Sequence, residues 1–230
     1  MKLQAALDFD YRSTNRGQTE ELTIFWTELA QALAGEARES LDIIEVGTPF
    51  VMEYGLAPVR KLKQAFPEKL ILADLKIADA GYYEAAAAFK SGADIATVLA
   101  VTDDATILNA MTAAKEYGRS IMVDMLAVPD LPTRLMQVDA LGVDYICLHT
   151  SKDLQRLDQD MSKSFEVLRS YVKNAKLAIA GGINRTTIEK FAAICPDVII
   201  VGEGITGAAD YGEAAAFFKA AMDAVERGER

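Results

Sequence analysis

The chain has 230 residues, 51% of them hydrophobic and 25% charged, with a net charge of -10 at pH 7. That length supports one large buried core, and the composition is that of an ordinary globular domain. A charge balance this negative argues against nucleic acid or an anionic membrane as partner; an anionic substrate would need local donors such as helix N-termini.

No apolar run approaches the ~20 residues that cross a membrane. The apolar part of Met1 to Asp8 is short for a signal peptide. Cys147 and Cys195 both sit in apolar sequence, which predicts two buried thiols in a reducing, cytoplasmic setting. No Cys/His cluster suits zinc.

Short apolar runs recur along the chain, beginning near Leu3, Ile43, Leu70, Asp94, Ser120, Asp144, Lys176 and Val198. An amphipathic helical segment follows each, the longest near Glu20 to Leu33 and Tyr211 to Val225. Alternating β and α units imply parallel strands with right-handed crossovers. Eight units in a chain of this size predict a single-domain (β/α)8 TIM barrel over residues 1–230, with a doubly wound sheet as the alternative.

Several strands end in ionisable residues. The first ends in Asp8, followed by a polar segment, Phe9 to Gly17, that reads as a surface loop or a lid. The second carries Glu45 inside an apolar run, either as a buried hydrogen-bond acceptor or, with Asp74 on the next strand, as a hard oxygen ligand for Mg²⁺. The third runs from Leu70 into Asp74, Lys76 and Asp79. Alternation puts Asp74 and Lys76 on one face, and Asp79 falls where it could cap the next helix. This cluster reads as a structural ion pair or as a site that stabilises an enediolate.

Asp103 or Asp104 suits a helix N-cap after the fourth strand. The fifth strand ends in Asp124, so Asp8, Glu45, Asp74 and Asp124 place acids at four C-terminal strand ends, the face where barrel enzymes work. The sixth ends in His149, the one histidine, just before a polar loop, which favours a general acid or base over a core histidine. The last two turns carry Gly181-Gly182 and Gly202-Glu203-Gly204. Glycines there are tight-turn residues or a phosphate cradle, with the Glu203 backbone N–H toward the ligand and its carboxylate turned away.

The spacing of Asp74, Lys76 and Asp79 resembles the signature of the orotidine monophosphate decarboxylase superfamily. Beyond it, Asp42 to Phe50, Leu72 to Gly81, Thr97 to Ile107, Val123 to Met125, Leu141 to Thr150, Ala178 to Ile183 and Val201 to Thr206 resemble the 3-hexulose-6-phosphate synthase family. Thr102 to Ile107 is more typical of these synthases than of the related 3-keto-L-gulonate-6-phosphate decarboxylases.

The resemblance implies a Mg²⁺-dependent, reversible aldol condensation of formaldehyde with D-ribulose 5-phosphate, through a metal-stabilised enediolate. It implies that Glu45 and Asp74 hold the metal, that Lys76 stabilises the enediolate, and that Asp79 reaches a neighbouring site across a homodimer. Asp8 and Thr48 would contact the sugar, His149 would act as base with Asp124 nearby, and Gly181, Gly182, Gly202 and the Glu203 backbone would hold phosphate. Three features depart from the synthase pattern. Ser151-Lys152 replaces a Gly-Tyr pair, Glu203 replaces a glycine, and the loop after Asp8 is longer. Lys152, a candidate substrate contact, leans toward the decarboxylases, which carry a Ser-Arg pair there. A non-catalytic phosphosugar-binding barrel is the alternative from another class.

Overall fold

The computed structural model describes residues 1–8, 30–155 and 162–228. Strands β1 (Lys2–Leu7), β2 (Ile43–Val46), β3 (Leu70–Ile77), β4 (Ile95–Leu99), β5 (Ser120–Asp124), β6 (Tyr145–His149), β7 (Lys176–Ala180) and β8 (Val198–Val201) close into a parallel barrel in chain order. Pairing of β1 with β8 seals it. The helices around it are α1 (across 30–36), α2 (Thr48–Tyr54), α3 (Ala57–Ala65), α4 (Gly81–Lys90), α5 (Asp104–Tyr117), α6 (Leu131–Ala140), α7 (Lys152–Gln155), α8 (Ser162–Arg169), α9 (Ile188–Ala192), α10 (Glu203–Thr206) and α11 (Tyr211–Glu226). This is the (β/α)8 barrel, and each described strand begins within one residue of its predicted start. The doubly wound alternative is set aside by closure. The predicted helix start near Glu20 and the loop from Phe9 to Gly17 lie outside the described residues. No helix among the described residues is long and apolar enough to cross a membrane.

Strand alternation sorts the core into two layers. Residues in one phase, among them Ile43, Leu72, Ile95, Met122, Tyr145, Cys147 and Val198, fill the barrel interior. Those in the other phase, such as Leu3, Ile44, Ile71 and Val123, pack under the helices. Cys147 is buried as predicted, but Cys195 is exposed: it sits in the turn before β8 with φ at 55°, outside the strand whose apolar run suggested burial. Both thiols are free.

The N-terminal rim repeats one device four times. Asp42, Asp94, Asp144 and Asp197 stand immediately before β2, β4, β6 and β8. Each carboxylate accepts from a backbone N–H of the preceding strand: Leu3 at 2.9 Å, Ile71 at 2.9 Å, Ile121 at 3.0 Å and Leu177 at 2.8 Å. Each carbonyl accepts from the first residue of the strand that follows in the barrel: Leu70, Ser120, Lys176 and Lys2. The aspartates recur about every fifty residues, once per pair of βα units. Rim N–H groups that the slanted ladder leaves over are thereby satisfied.

Asp94 is the buried member and also takes Lys63 Nζ at 2.8 Å and Arg119. Asp94→Ala should therefore cost about 1.5–3 kcal/mol, because it leaves the Ile71 N–H without its carboxylate and takes a charged partner from Lys63 and Arg119. Asp144→Ala at an exposed rim should cost about 1 kcal/mol. Denaturant unfolding of both variants measures this; equal losses would mean that Asp94's two cations add nothing.

Candidate active site

Barrel parity decides which side chains meet at the C-terminal mouth. Asp8, Glu45, Asp74, Thr97, Asp124 and His149 all continue the inward phase of their strands. Glu45, Asp74, Thr97 and Asp124 are buried, while His149 is half-buried. Asp8 keeps an open edge to solvent but lies against Gly47, where a Cβ would fall 1.8 Å from Asp8 Oδ1. Gly47 is a glycine for that space.

The end of β3 is irregular in a way alternation does not predict. Between Ala73 and Ile77, four residues of β3 advance against two of β4, so Asp74 to Lys76 bulge outward. Lys76 takes φ of 47°, in the left-handed region, and its N–H donates to Thr97 Oγ1 at 2.9 Å. Such bulges and strained residues re-aim side chains beside sites. Here the result is an ion pair of Lys76 Nζ with Asp74 Oδ2. Thr48 donates to the same oxygen at 2.6 Å, and Thr97 to Asp74 Oδ1 at 2.7 Å. These bonds fill three of the roughly four acceptor sites a carboxylate offers.

Across the mouth, His149 Nδ1 lies 2.9 Å from Asp124 Oδ2. A carboxylate only accepts, so Nδ1 carries the proton and Nε2 is left as the basic nitrogen. Asp124 Oδ1 is held by the Leu126 N–H at 2.9 Å. Lys76 Nζ stands 3.8 Å from Asp124 Oδ2, so one ammonium is shared by two carboxylates on β3 and β5.

Burial pushes the Lys76 ammonium down, but Asp74 and Asp124 outweigh it and hold the pKa above its ordinary value. Burial also pushes Asp74 up, and Lys76 with the Thr48 and Thr97 hydroxyls brings it below the usual carboxylate range. Glu45 is the uncompensated member. Burial first, then repulsion from Asp74 and Asp8, raise its carboxyl well above normal, against smaller help from Lys76 and Gln4. Enclosure by protein and the Asp74 charge raise Asp8 as well.

Those oxygens fit a hard divalent cation. Among the described residues no three of His, Cys, Asp and Glu form a ready-made cage. Mg²⁺, however, typically takes one or two carboxylates and fills its other places with substrate oxygens and water. Glu45 and Asp74 would supply those two, and among the described residues repulsion from Asp74 and Asp8 acts on Glu45 against smaller help from Lys76 and Gln4.

Asp79 lies beyond this cluster. It is exposed, and its carboxylate accepts from the Ala80 N–H at 2.6 Å. The N-cap position of α4 belongs to Ala80, at φ of 51°, so the expected Asp79 cap is not made. Asp103 takes the N-cap position of α5 without a side-chain bond, and Asp104 is drawn to Arg134 at 2.6 Å. The segment Thr102 to Ile107 instead braces the loop that carries Asp79. Thr102 Oγ1 donates to Ala78 O at 2.7 Å, and Gly81 packs so closely on α5 that a Cβ would fall 2.1 Å from Thr106 O.

Gly181 and Gly182 have φ of 93° and 72°, a paired left-handed turn after β7. Gly202, with φ -95° and ψ -100°, starts α10, where the Ile205 and Thr206 N–H groups donate back to Gly202 O at 2.9 and 3.0 Å and the Glu203 and Gly204 N–H groups are those a helix start leaves over. Glu203 is exposed, its carboxylate 4.0 Å from Lys152 Nζ, and the two loops that depart from the synthase pattern face each other there. Gln4, Thr97 and Arg134 were not read from the sequence as site or bracing residues. For Gln4 and Thr97 the signal was available, since polar residues in the inward phase of a buried strand need a reason to be there.

Glu45 gives this geometry a pH signature. A carboxyl whose folded pKa is raised binds more protons folded than unfolded, so stability falls as pH climbs from the ordinary value of 4.5 toward the raised one. In chelator, Glu45→Gln should therefore melt higher than wild type above that window and lose the advantage in acid. Parallel melting curves from pH 4 upward in both proteins would show that Glu45 carries no such burden.

Residues 1–218 match the Orotidine 5'-phosphate decarboxylase / HUMPS family. The chain is 48% identical over 187 residues to a 3-hexulose-6-phosphate synthase of Bacillus subtilis, covering 81% of this chain and 89% of that one. The structure of a 3-hexulose-6-phosphate synthase from Salmonella typhimurium superposes with a TM-score of 0.86 at 35% identity, over the whole of both chains. A 3-keto-L-gulonate-6-phosphate decarboxylase from Vibrio cholerae superposes at 0.78 with 25% identity, over 96% of this chain and 97% of that one. The chain thus belongs to the Orotidine 5'-phosphate decarboxylase / HUMPS family.

Proposed function

We propose that this protein is a 3-hexulose-6-phosphate synthase, an aldehyde-lyase that joins formaldehyde to D-ribulose 5-phosphate and gives D-arabino-hex-3-ulose 6-phosphate. The observation that carries this reading is one mouth holding both a histidine base braced by Asp124 and a lysine fixed between Asp74 and Asp124. The synthase relatives support the choice of substrates.

The roles follow from the chemistry of a carbon acid. His149 Nε2 takes the C1 proton of the ketose phosphate, and Asp124 balances the imidazolium that forms. The C1–H electron pair moves into the C1–C2 bond, and the carbonyl pair moves onto O2. Lys76 stabilises that developing charge from a position already set, so little reorganisation is needed. C1 then bonds to the formaldehyde carbon, whose oxygen takes up a proton, and the former C2 regains its carbonyl as C3 of the product. Glu45 and Asp74 would hold Mg²⁺, which when bound supplies Lewis-acid polarisation of substrate oxygens. Asp8 and Thr48 are assigned to the sugar hydroxyls. The Gly181-Gly182 turn, Gly202 and the Glu203 backbone are assigned to the phosphate, with Lys152 at its edge. We further propose a homodimer in which Asp79 serves the partner's site, and a cytoplasmic setting that suits two free thiols.

A second reading, decarboxylation of 3-keto-L-gulonate 6-phosphate, draws on Lys152 and on the decarboxylase likeness. Purified protein should consume formaldehyde with ribulose 5-phosphate, form a hexulose phosphate, and stop on chelation. A much higher kcat/KM for CO₂ release from 3-keto-L-gulonate 6-phosphate would transfer the assignment to the decarboxylase. Ligand binding with no turnover in either assay would leave a binding barrel. Lys76→Ala should lose ~10³-fold or more in kcat with its fold intact, and near-normal turnover would remove Lys76 from the mechanism. For the dimer, inactive Asp79→Ala and Glu45→Ala subunits should regain activity when mixed. Silent hybrids of verified composition would argue against a shared site.

A further inference from the structure

We propose that Gln4 is a positioning residue for Glu45, tying down the carboxylate that would receive the divalent cation; the inference rests on the Mg²⁺ assignment above. Gln4 lies within β1, wholly buried, in the inward phase that it shares with Ala6. The inward phase it shares is otherwise mostly hydrocarbon, with Ile43, Leu72 and Val198 among its members. Its Nε2 donates to Glu45 Oε2 at 2.5 Å on the adjacent strand. Its own Oε1 is buried without a hydrogen-bond partner among the described residues.

That asymmetry is informative. An apolar side chain of the same length would fill the space and remove the unpaired oxygen, which is costly to bury. Packing alone therefore gives no reason for an amide at position 4. An amide can donate to Glu45, which hydrocarbon cannot do. Against an ionised, ligating carboxylate the other amide orientation would set oxygen against oxygen, so there the donor faces Glu45. One bond to Oε2 restricts rotation of the carboxylate about its last side-chain torsion. Partners that orient a ligating carboxylate from behind commonly matter about 10–100-fold for metal affinity.

The test titrates metal-free protein with Mn²⁺ at fixed pH, reading free Mn²⁺ by electron paramagnetic resonance, with Mg²⁺ as competitor. Wild type, Gln4→Leu, Gln4→Met and Glu45→Gln are compared, and thermal melting is recorded for each. The expected result is a fall in Mn²⁺ affinity of about tenfold or more in a folded Gln4 variant, with a melting point that is not lowered. Affinity within about threefold of wild type would overturn the role and leave Gln4 as packing. If Gln4→Leu does not fold, Gln4→Met decides, and failure of both to fold also assigns Gln4 to packing. Wild type that takes up no Mn²⁺, or Glu45→Gln that binds it as wild type does, would instead sink the metal assignment, and the role of Gln4 with it.

Discussion

The mouth of this barrel depends on a charge imbalance. Among the described residues Asp8, Glu45, Asp74 and Asp124 crowd around the Lys76 ammonium, with Lys152 acting on Asp8 as well, and three of the four are buried. Burying like charges is tolerable only if they are paired, protonated or neutralised by something that binds. Lys76 resolves part of the conflict for Asp74 and Asp124. It leaves Glu45 unresolved, and an oxygen-seeking cation would complete the balance. The irregular end of β3 is what seats Lys76 in this cluster. A regular strand would carry Lys76 past Asp74 along the barrel wall. The two-residue bulge and the left-handed backbone at Lys76 bring its ammonium back onto the carboxylates.

A parallel barrel suits this arrangement because each strand ends once at the same face. The inward phase of six strands delivers Asp8, Glu45, Asp74, Thr97, Asp124 and His149 to one volume without any of them being neighbours in the chain beyond their own strand. Rigidity comes from the opposite rim, where the four aspartates before β2, β4, β6 and β8 each bond to strands on both sides. The two ends thus use the same residue type differently. Each rim aspartate accepts a backbone N–H, Asp94 with Lys63 and Arg119 besides, and contributes to stability. Mouth aspartates accept side-chain donors or repel one another, and so remain chemically available.

The contrast explains what was legible beforehand. Strand starts were readable because a buried parallel strand is a short apolar run and little else imitates it at that spacing. The acids at strand ends stood out against those runs. Features set by pairing between strands were not readable. The bulge at Lys76 depends on how β3 lies against β4, and the Thr97 and Gln4 hydrogen bonds depend on which residue of one strand faces which of the next. Elsewhere the local sequence left the outcome open or pointed the wrong way. At α5 the N-cap falls to Asp103, one of the two expected residues, while Asp104 turns to Arg134, which also holds Ala100 O at 2.7 Å and Thr102 O at 3.0 Å. Asp79 binds the amide next to it and leaves the cap of α4 to Ala80. Cys195 lies in sequence beside the apolar β8, yet a left-handed turn puts it outside.

Lys152 and Glu203 show how two departures from a family pattern can be one. Read separately, a lysine after β6 favours a decarboxylase and an acid after β8 opposes a bound phosphate. In the fold they stand 4.0 Å apart, both largely in solvent. At that exposure the pair contributes at most about 1 kcal/mol to stability, so it does not lock the loops. Its effect is electrostatic. An acid on the loop after β8 is offset by a base on the loop after β6, and the net charge that the pair presents is unchanged. Neither residue alone is then a guide to substrate.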